Sequence, residues 1–238
     1  MTQSFNASRL AQARWAVIAI FLANGTGMAN WIARVPAIQD KIDASKLEMS
    51  LILWGPALGA IISFPVAGYL LGRFGSRKLT IIMSLLTCVA VAAISLGSSV
   101  PTFFALLFFF GFCNAAMDVS MNAQAADVEA LLAKPIMSSF HGVFSVGGIV
   151  GAFLASFFAS RGLGLFPHLP LISLALLVLV LVAIRYLLPS EAKKSGSPVF
   201  AMPSKAVLIV ALIGFCALVG EGAVSDWSAL YMRDVLET

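Results

Sequence analysis

Charged side chains are scarce in this sequence, and their scarcity excludes an ordinary water-soluble domain. Only 11% of the 238 residues are charged, whereas 60% are hydrophobic and the mean hydropathy is +0.98. A soluble globular domain is about a quarter charged and about half apolar. The apolar residues also form runs of about 18 or more, which suits membrane-spanning helices better than the alternating strands of a barrel. We therefore predict an all-α, polytopic helical membrane protein surrounded by the lipid bilayer.

Cysteine and histidine are also scarce, and this argues against an enzyme. The three cysteines are odd in number, far apart and each inside an apolar run, so they predict neither a disulfide framework nor a metal site. The two histidines, His141 and His168, do not belong to a recognisable arrangement of nucleophile, base or metal ligands. We therefore predict no catalytic activity, no metal and no cofactor.

The apolar runs predict seven membrane-spanning helices. They lie at about residues 15–35, 47–71, 79–97, 102–126, 136–160, 166–188 and 206–231. The segment between the sixth and seventh runs is rich in proline, serine, glycine and lysine, which is typical of a linker. We therefore predict a six-helix half over residues 1–188, a cytoplasmic linker over 189–205, and the first helix of an incomplete second half over 206–238.

The positions of the basic residues predict the orientation of these helices. The net charge of +4 does not indicate nucleic-acid binding, because the basic residues lie beside the apolar runs, where they set membrane topology. A cytoplasmic amino terminus places ten of them on the inner side: Arg9, Arg14, Arg73, Arg77, Lys78, Lys134, Arg185, Lys193, Lys194 and Lys205. The outer side then carries Arg34, Lys41, Lys46, Arg161 and Arg233. This excess predicts that the amino terminus is cytoplasmic.

The fourth run carries polar residues at helical spacing. Asn114, Asp118 and Asn122 are four residues apart and therefore share one face of a helix. A carboxylate inside a membrane-spanning helix is costly unless it faces other helices or water. Two interpretations stay open: a buried aspartate that a neighbouring helix satisfies, or one wall of a water-filled path through the bundle. A stripe of three polar groups favours the path.

Two further runs carry comparable stripes. Thr26, Asn30 and Arg34 repeat every four residues in the first run, where the alternative interpretation is helix packing with an arginine that reaches the membrane surface. Glu221, Ser225 and Ser228 form a stripe in the seventh run. His141 adds a polar side chain in the fifth run, and Trp31 and Trp227 offer apolar faces.

The connection after the second run resembles the signature between helices two and three of the major facilitator superfamily. That pattern is roughly G-x-L-a-D-R-x-G-R-[KR]-[KR]. The sequence departs from it at Gly72, where the family has an acid, and at Ser76, where the family has a basic residue. The matching residues are Gly68, Leu70, Arg73, Gly75, Arg77 and Lys78. The resemblance implies a loop that takes part in conformational change, although the missing acid removes one of its cytoplasmic contacts.

Two other segments are similar to the MosC-like or YbjJ-like branch of this superfamily. They are residues 117–124 (MDVSMNAQ) and 138–142 (SSFHG), the latter followed by Ser145, Gly147 and Gly148. In related sugar symporters a carboxylate of the fourth helix takes part in proton coupling, and Asp118 is the matching residue here. The resemblance also implies a multi-pass protein of the bacterial inner membrane.

A short internal repeat points to a second half of the chain. Residues 28–33 (MANWIA) resemble residues 224–229 (VSDWSA), with an offset of 227 − 31 = 196 residues. Six-helix repeats of this kind are known in transporters, with the substrate site between the two halves. A second half of that length would extend past residue 238, so we expect the chain to be truncated after its seventh helix.

These observations together predict a secondary active transporter that moves a small polar organic solute by alternating access, coupled to protons. Asp118 is the predicted proton carrier, with Glu221 as the second candidate. The predicted solute-binding residues are Asn30, Trp31, Arg34, Asn114, Asn122, His141, Ser225 and Trp227. The alternatives are an efflux antiporter, a truncated fragment that transports nothing and, less favoured, a membrane enzyme. The identity of the solute and the oligomeric state do not follow from the sequence.

Overall fold

The computed structural model describes residues 5–190 and 204–236, and regular structure within these ranges is entirely helical. This confirms the predicted all-α class. Six helical segments of the described chain are long and apolar enough to cross a membrane. The helices are α1 (Ala7–Ile32), α2 (Val35–Ile42), α3 (Lys46–Ile94), α4 (Val100–Leu132), α5 (Met137–Ser160), α6 (Leu165–Ala183) and α7 (Lys205–Asp234).

Helix α3 contains two membrane spans that are joined at a single residue. Its 49 residues would extend about 74 Å as a straight helix, whereas the hydrocarbon core of a bilayer is about 30 Å thick. Gly75 breaks the helix with φ 79° and ψ 163°, a conformation that glycine adopts without steric cost. Both ends of α3 lie at the same side of the bundle, because Lys41, just before α3, donates to the carbonyl of Ser95, just after it (2.9 Å).

The reversal at Gly75 corrects one boundary that the sequence predicts. The sequence predicts a loop over residues 72–78, but the helix continues on both sides of Gly75. One residue with a positive φ is sufficient to turn the chain, so the connection needs no further irregular residues.

Long-range contacts define two ends of the helix bundle. At the first, which we call the Gly75 end, the guanidinium of Arg9 in the first turn of α1 donates to the carbonyl of Leu187 after α6 (2.8 Å). At the opposite end, the Arg34 end, Arg34 donates to the carbonyl of Leu163 between α5 and α6 (2.6 Å). The start of the first span and the finish of the sixth therefore lie at one end, as an even number of spans requires.

Glycines bring two pairs of helices into direct backbone contact. A methyl group added to Gly147 of α5 would lie 2.5 Å from the carbonyl oxygen of Leu22 in α1, and one added to Gly55 of α3 would lie 2.7 Å from that of Phe104 in α4. Helices within membranes associate through small residues of this kind, because lipid provides no hydrophobic force between them. Gly25 and Gly151 form similar contacts between α1 and α5, and Gly59 and Gly111 between α3 and α4.

Helix α7 meets the six-helix bundle near the Arg34 end. Leu230 is buried and belongs to the same apolar cluster as Trp31, Val35 and Ile38. The earlier apolar side chains of α7, such as Val210 and Phe215, are exposed. The predicted linker lies largely in residues 191–203, which are outside the described residues.

A candidate solute cavity between α1, α4 and α7

A cavity of about 420 Å³ lies between α1, α4 and α7, with α3 and α5 completing its wall. Its polar side chains come from three different helices: Asn24, Asn114, Asp118, Glu221 and Ser225. None of its described lining residues is lysine, arginine or histidine. Ligand sites commonly combine an apolar wall with a few convergent polar groups, and this cavity has that composition.

An amide pair joins the two central helices. The side chain of Asn24 on α1 donates to the side-chain oxygen of Asn114 on α4, at 3.1 Å. Both residues line the cavity. Each amide keeps further donor or acceptor capacity, since one such bond uses only part of it. The pair therefore holds α1 and α4 in register and presents hydrogen-bonding groups to the cavity.

Asn24 is absent from the sequence-based prediction, although a periodicity signal for it exists. At 100° per residue Asn24 and Trp31 lie about 20° apart on α1, whereas Asn30 lies about 120° from Asn24. The predicted stripe through Asn30 therefore belongs to another face of the helix. Asn24 is identified when one asks which polar residue shares a helix face with Trp31, instead of following the most regular polar stripe.

Asp118 places a carboxylate at the cavity wall. It is half-buried, and its Oδ1 accepts a hydrogen bond from Nδ2 of Asn122 at 3.1 Å. The same nitrogen donates to the backbone carbonyl of Asp118 at 2.9 Å. Asn122 is not among the lining residues, so in this structure it orients Asp118 rather than facing the cavity.

Helix α7 supplies the remaining polar groups of the cavity. Glu221 and Ser225 line it, one helical turn apart, and Gly222 lies between them. Glu221 is exposed and Ser225 is half-buried. The cavity thus has carboxylates on two sides, one from α4 and one from α7.

Aromatic side chains form the apolar part of the wall. The rings of Trp31 and Phe110 pack edge to face with their centroids 5.6 Å apart. The indole N–H of Trp31 is buried and has no hydrogen-bond partner among the described residues. Phe144 of α5 also lines the cavity. An aromatic wall offers a stacking surface to the apolar face of a ring or to a cation.

The structure places Asn30 and Arg34 away from this cavity. The side chain of Asn30 is buried and donates to the backbone carbonyl of Gly151 on α5 at 2.9 Å. Arg34 is 5% exposed and bonds the carbonyl of Leu163. This face of α1 therefore packs against α5 and the connection to α6, as in the helix-packing alternative, but Arg34 is buried there and does not reach the surface.

Two other predicted residues also lie outside the cavity. His141 is exposed on α5, where its ring packs edge to face against Phe21 with centroids 5.5 Å apart. Trp227 is half-buried and borders a separate, smaller cavity with Gln39 and Tyr231. Of the predicted solute-binding and proton-coupling residues, the cavity brings together Trp31, Asn114, Asp118, Glu221 and Ser225.

The basic signature lies at the Gly75 end, where its departure from the family pattern has a structural reason. Ser76 stands where the family has a basic residue, and it is only 3% exposed. Its Oγ accepts a hydrogen bond from Gln124 at 2.7 Å and lies 3.3 Å from Asp127. Its backbone N–H donates to Ser190 Oγ at 3.0 Å. A long cationic side chain would not fit this buried network.

The other signature residues surround this network. Arg73 donates to the hydroxyl of Tyr69 at 3.0 Å and its guanidinium lies 5.5 Å from the centre of the Phe74 ring. Arg77 is half-buried and Lys78 is exposed. A methyl group added at Gly68 would meet no atom within 4 Å, and the same holds for Gly72, where the family has an acid.

Comparison with known proteins agrees with this architecture. The fold defines a multi-pass helical membrane protein with a central polar cavity. The sequence matches the family model of the Major Facilitator Superfamily over residues 16–237, and the chain belongs to this superfamily.

Three relatives have comparable similarity. The chain is 32% identical over 227 residues to the uncharacterized transporter y4wD of Sinorhizobium fredii, covering 93% of this chain and 59% of that protein. It is 31% identical over 215 residues to an uncharacterized MFS-type transporter of Yersinia pestis, covering 90% and 56%. It is 31% identical over 217 residues to the membrane protein MosC of Rhizobium meliloti, covering 89% and 52%. These matches confirm the predicted resemblance, and the chain spans little more than half the length of these curated relatives.

Proposed function

We propose that the full-length protein is a secondary active transporter that moves a small polar organic solute by alternating access, coupled to protons. The observation that carries this proposal is the cavity of about 420 Å³, in which Asp118 of the first half and Glu221 of α7 both line the wall. Substrate sites in transporters built from two repeats lie at the interface between the repeats, near the middle of the membrane. Two of the three relatives carry the name of transporters, in agreement with this proposal.

The lining chemistry suggests how the solute binds. The amides of Asn24 and Asn114 and the hydroxyl of Ser225 donate and accept hydrogen bonds, as solute hydroxyl groups require. Trp31 and Phe110 provide an apolar face. A cavity with carboxylates and no basic lining residue favours a solute that is neutral or positively charged over an anion.

Asp118 is the proposed proton carrier. A charged carboxylate is costly inside a membrane, and protonation removes that charge. The side chain of Asn122 holds Asp118 at the cavity wall, where solute and water can reach it. Glu221 comes from the other side of the cavity and is the second candidate. The inner membrane, with a cytoplasmic amino terminus, is the proposed location.

The test uses the Asp118→Asn variant in the full-length protein. This change keeps size and hydrogen bonding but removes the titratable charge. Proteoliposomes that contain a pH dye are given a panel of hexoses, polyols and amino acids. We expect the wild type to couple the movement of one of these solutes to a lumenal pH change, whose sign distinguishes symport from antiport. Asp118→Asn is expected to abolish accumulation against a gradient and to retain exchange down a gradient.

Two matched variants separate the roles of the carboxylates. Asp43→Asn makes the same chemical change at an exposed residue whose φ of 50° suits asparagine, so full activity is expected. Glu221→Gln tests the second candidate. Accumulation by Asp118→Asn at the wild-type level would contradict the proposed role of Asp118. Loss of folding in that variant, while Asp43→Asn folds, would support a purely structural aspartate.

A further inference from the structure

A second polar site lies at the Arg34 end, on the face of α1 that packs away from the solute cavity. Arg34 is 5% exposed, and Nη2 of its guanidinium donates to the carbonyl of Leu163. Its Nε and Nη1 atoms are buried and have no hydrogen-bond partner among the described residues. A guanidinium stays protonated in proteins, so Arg34 brings a permanent positive charge into a buried position.

His168 of α6 adds two more unpartnered atoms beside Arg34. It is fully buried, and neither ring nitrogen has a hydrogen-bond partner in the described chain. Its backbone N–H donates to the carbonyl of Gly164, the residue that follows Leu163, and its ring is close enough to Arg34 for an electrostatic interaction. Whichever ring nitrogen carries the proton, the imidazole keeps an unused N–H donor. Buried polar groups are almost always hydrogen-bonded, so these atoms require partners that the described chain does not provide.

The surroundings of these two side chains favour an anion as the missing partner. Residues 7–39 and 137–190, which contain α1, α5 and α6, have no aspartate or glutamate, and Arg34 forms no ion pair with any described residue. The N-termini of α2 and α6 also lie here, because Arg34 and Gly164 are their N-cap residues, and no side chain caps either helix. Helix N-termini carry a partial positive charge. A buried charge without a counterion is costly, and a bound anion would reduce that cost.

We propose that a small inorganic anion, chloride under ordinary conditions, binds between Arg34 and His168, where α1, α5 and α6 meet. The guanidinium supplies the charge and the imidazole supplies a further N–H donor. The unpartnered atoms are enclosed, so only a compact ion fits beside them. Asn30, one helical turn before Arg34, also has a buried Oδ1 without a partner in the described residues, and this acceptor would bond a water next to the ion. Neither Arg34 nor His168 lines the solute cavity, so the two sites are separate.

The first test measures thermal unfolding of the full-length protein in detergent, with sodium chloride exchanged for sodium gluconate at constant ionic strength. An ion that binds only the folded state stabilises it in a saturable way. We expect chloride to raise the melting temperature of the wild type by about 3 °C, and Arg34→Met to abolish that rise. Arg161→Met, at an exposed arginine in the connection between α5 and α6, is the matched control and should respond to chloride as the wild type does.

A variant of His168 tests the second donor separately from the charge. His168→Phe keeps an aromatic ring and removes both nitrogens. The stabilisation by chloride should therefore persist, but the half-saturating chloride concentration should rise about tenfold, because one hydrogen bond to the ion is lost. An unchanged half-saturating concentration would exclude His168 from the proposed site.

A further experiment locates the ion directly and needs no variant. Crystals of the wild-type, full-length protein grown in sodium bromide should show an anomalous bromide peak beside the Arg34 guanidinium. A water at this position, without an anomalous signal, would overturn the proposal. Equal melting temperatures of the wild type in chloride and gluconate, or a chloride response that Arg34→Met retains, would also overturn it.

Discussion

Arg233 of α7 contacts helix α2, and we expect this contact to stabilise the docked position of α7 on the six-helix bundle. The Nη1 atom of Arg233 lies 2.7 Å from a carboxylate oxygen of Asp40, and its Nη2 atom donates to Gln39 at 2.5 Å. Both partners lie on α2, next to the Arg34 end. We predict that Arg233→Ala weakens this docking and lets α7 separate from α2 more often.

The expected magnitude follows from the geometry. The ion pair is largely exposed, with side-chain exposures of 35% for Arg233 and 69% for Asp40, so it contributes about 0.2–1 kcal/mol. The hydrogen bond to Gln39 adds about 1 kcal/mol. The total of about 1–2 kcal/mol corresponds to roughly a tenfold change in the ratio of docked to separated α7. Leu230 is buried against the bundle and is unchanged by this substitution, so we expect a shifted equilibrium and not complete release.

Electron–electron distance measurements between spin labels can detect this change. Cysteines at Leu47 and Leu236, which are 73% and 49% exposed, place the labels on either side of the contact. Cys216 is exposed and is first replaced by serine, whereas Cys88 and Cys113 are buried. Arg233→Ala should enlarge the fraction of molecules in which the two labels are far apart. The double variant Asp40→Arg with Arg233→Asp exchanges the two charges and should restore the fraction with a short label-to-label distance.

The neighbouring pair of Arg233 and Asp234 has a pH dependence of defined sign. The hydrogen bond from Arg233 lowers the pKa of Asp234 below its ordinary value of 3.8. A carboxylate whose pKa is lowered in the folded state stabilises that state at pH values above its ordinary pKa. This stabilisation is lost as the pH falls through the lowered pKa. This pair lies within α7 and does not bridge to α2, so its contribution should be constant between about pH 5 and 8 and should leave docking unchanged over that range. In the spin-label experiment, an unchanged distribution of label-to-label distances in Arg233→Ala would refute the proposed role of the contact between Arg233 and α2. The control variant Arg161→Ala should give no change.

Two further predictions concern topology and packing. Reporter fusions after Lys78 and Lys194 should register as cytoplasmic and one after Ser99 as periplasmic, and the reverse pattern would overturn the orientation. Gly111→Leu should destabilise the fold by several kcal/mol in a denaturation assay, because its side chain would meet the backbone of Pro56, whereas Gly142→Ala has open space and should be nearly neutral.

Much of the fold follows from the sequence because lipid imposes simple rules. A long apolar run without charges must form a helix in a bilayer, since every backbone polar group needs a partner within the segment. The helical class and the approximate spans were therefore predictable. The signature around Gly75 and the segment around Asp118 also carried the superfamily resemblance that the comparison confirms.

The faces that the helices present to one another were not predictable in this way. Core-facing and lipid-facing residues are both apolar in a membrane protein, so periodicity identifies stripes without assigning them to neighbours. The stripe through Asn30 and Arg34 was as regular as that through Asp118, yet it packs against α5. Gly147 and Gly151 cause this, because their lack of side chains lets α5 approach the Thr26 side of α1.

The composition of the cavity was decided by the same contacts. Once α5 occupies the Asn30 face, α1 turns Asn24 and Trp31 toward α4, and Asn24 meets Asn114. The sequence by itself determined that polar groups lie within the membrane, because their spacing is local and helical. Only the tertiary structure decided which of them share a cavity, because that depends on contacts between residues about 90 positions apart in the chain.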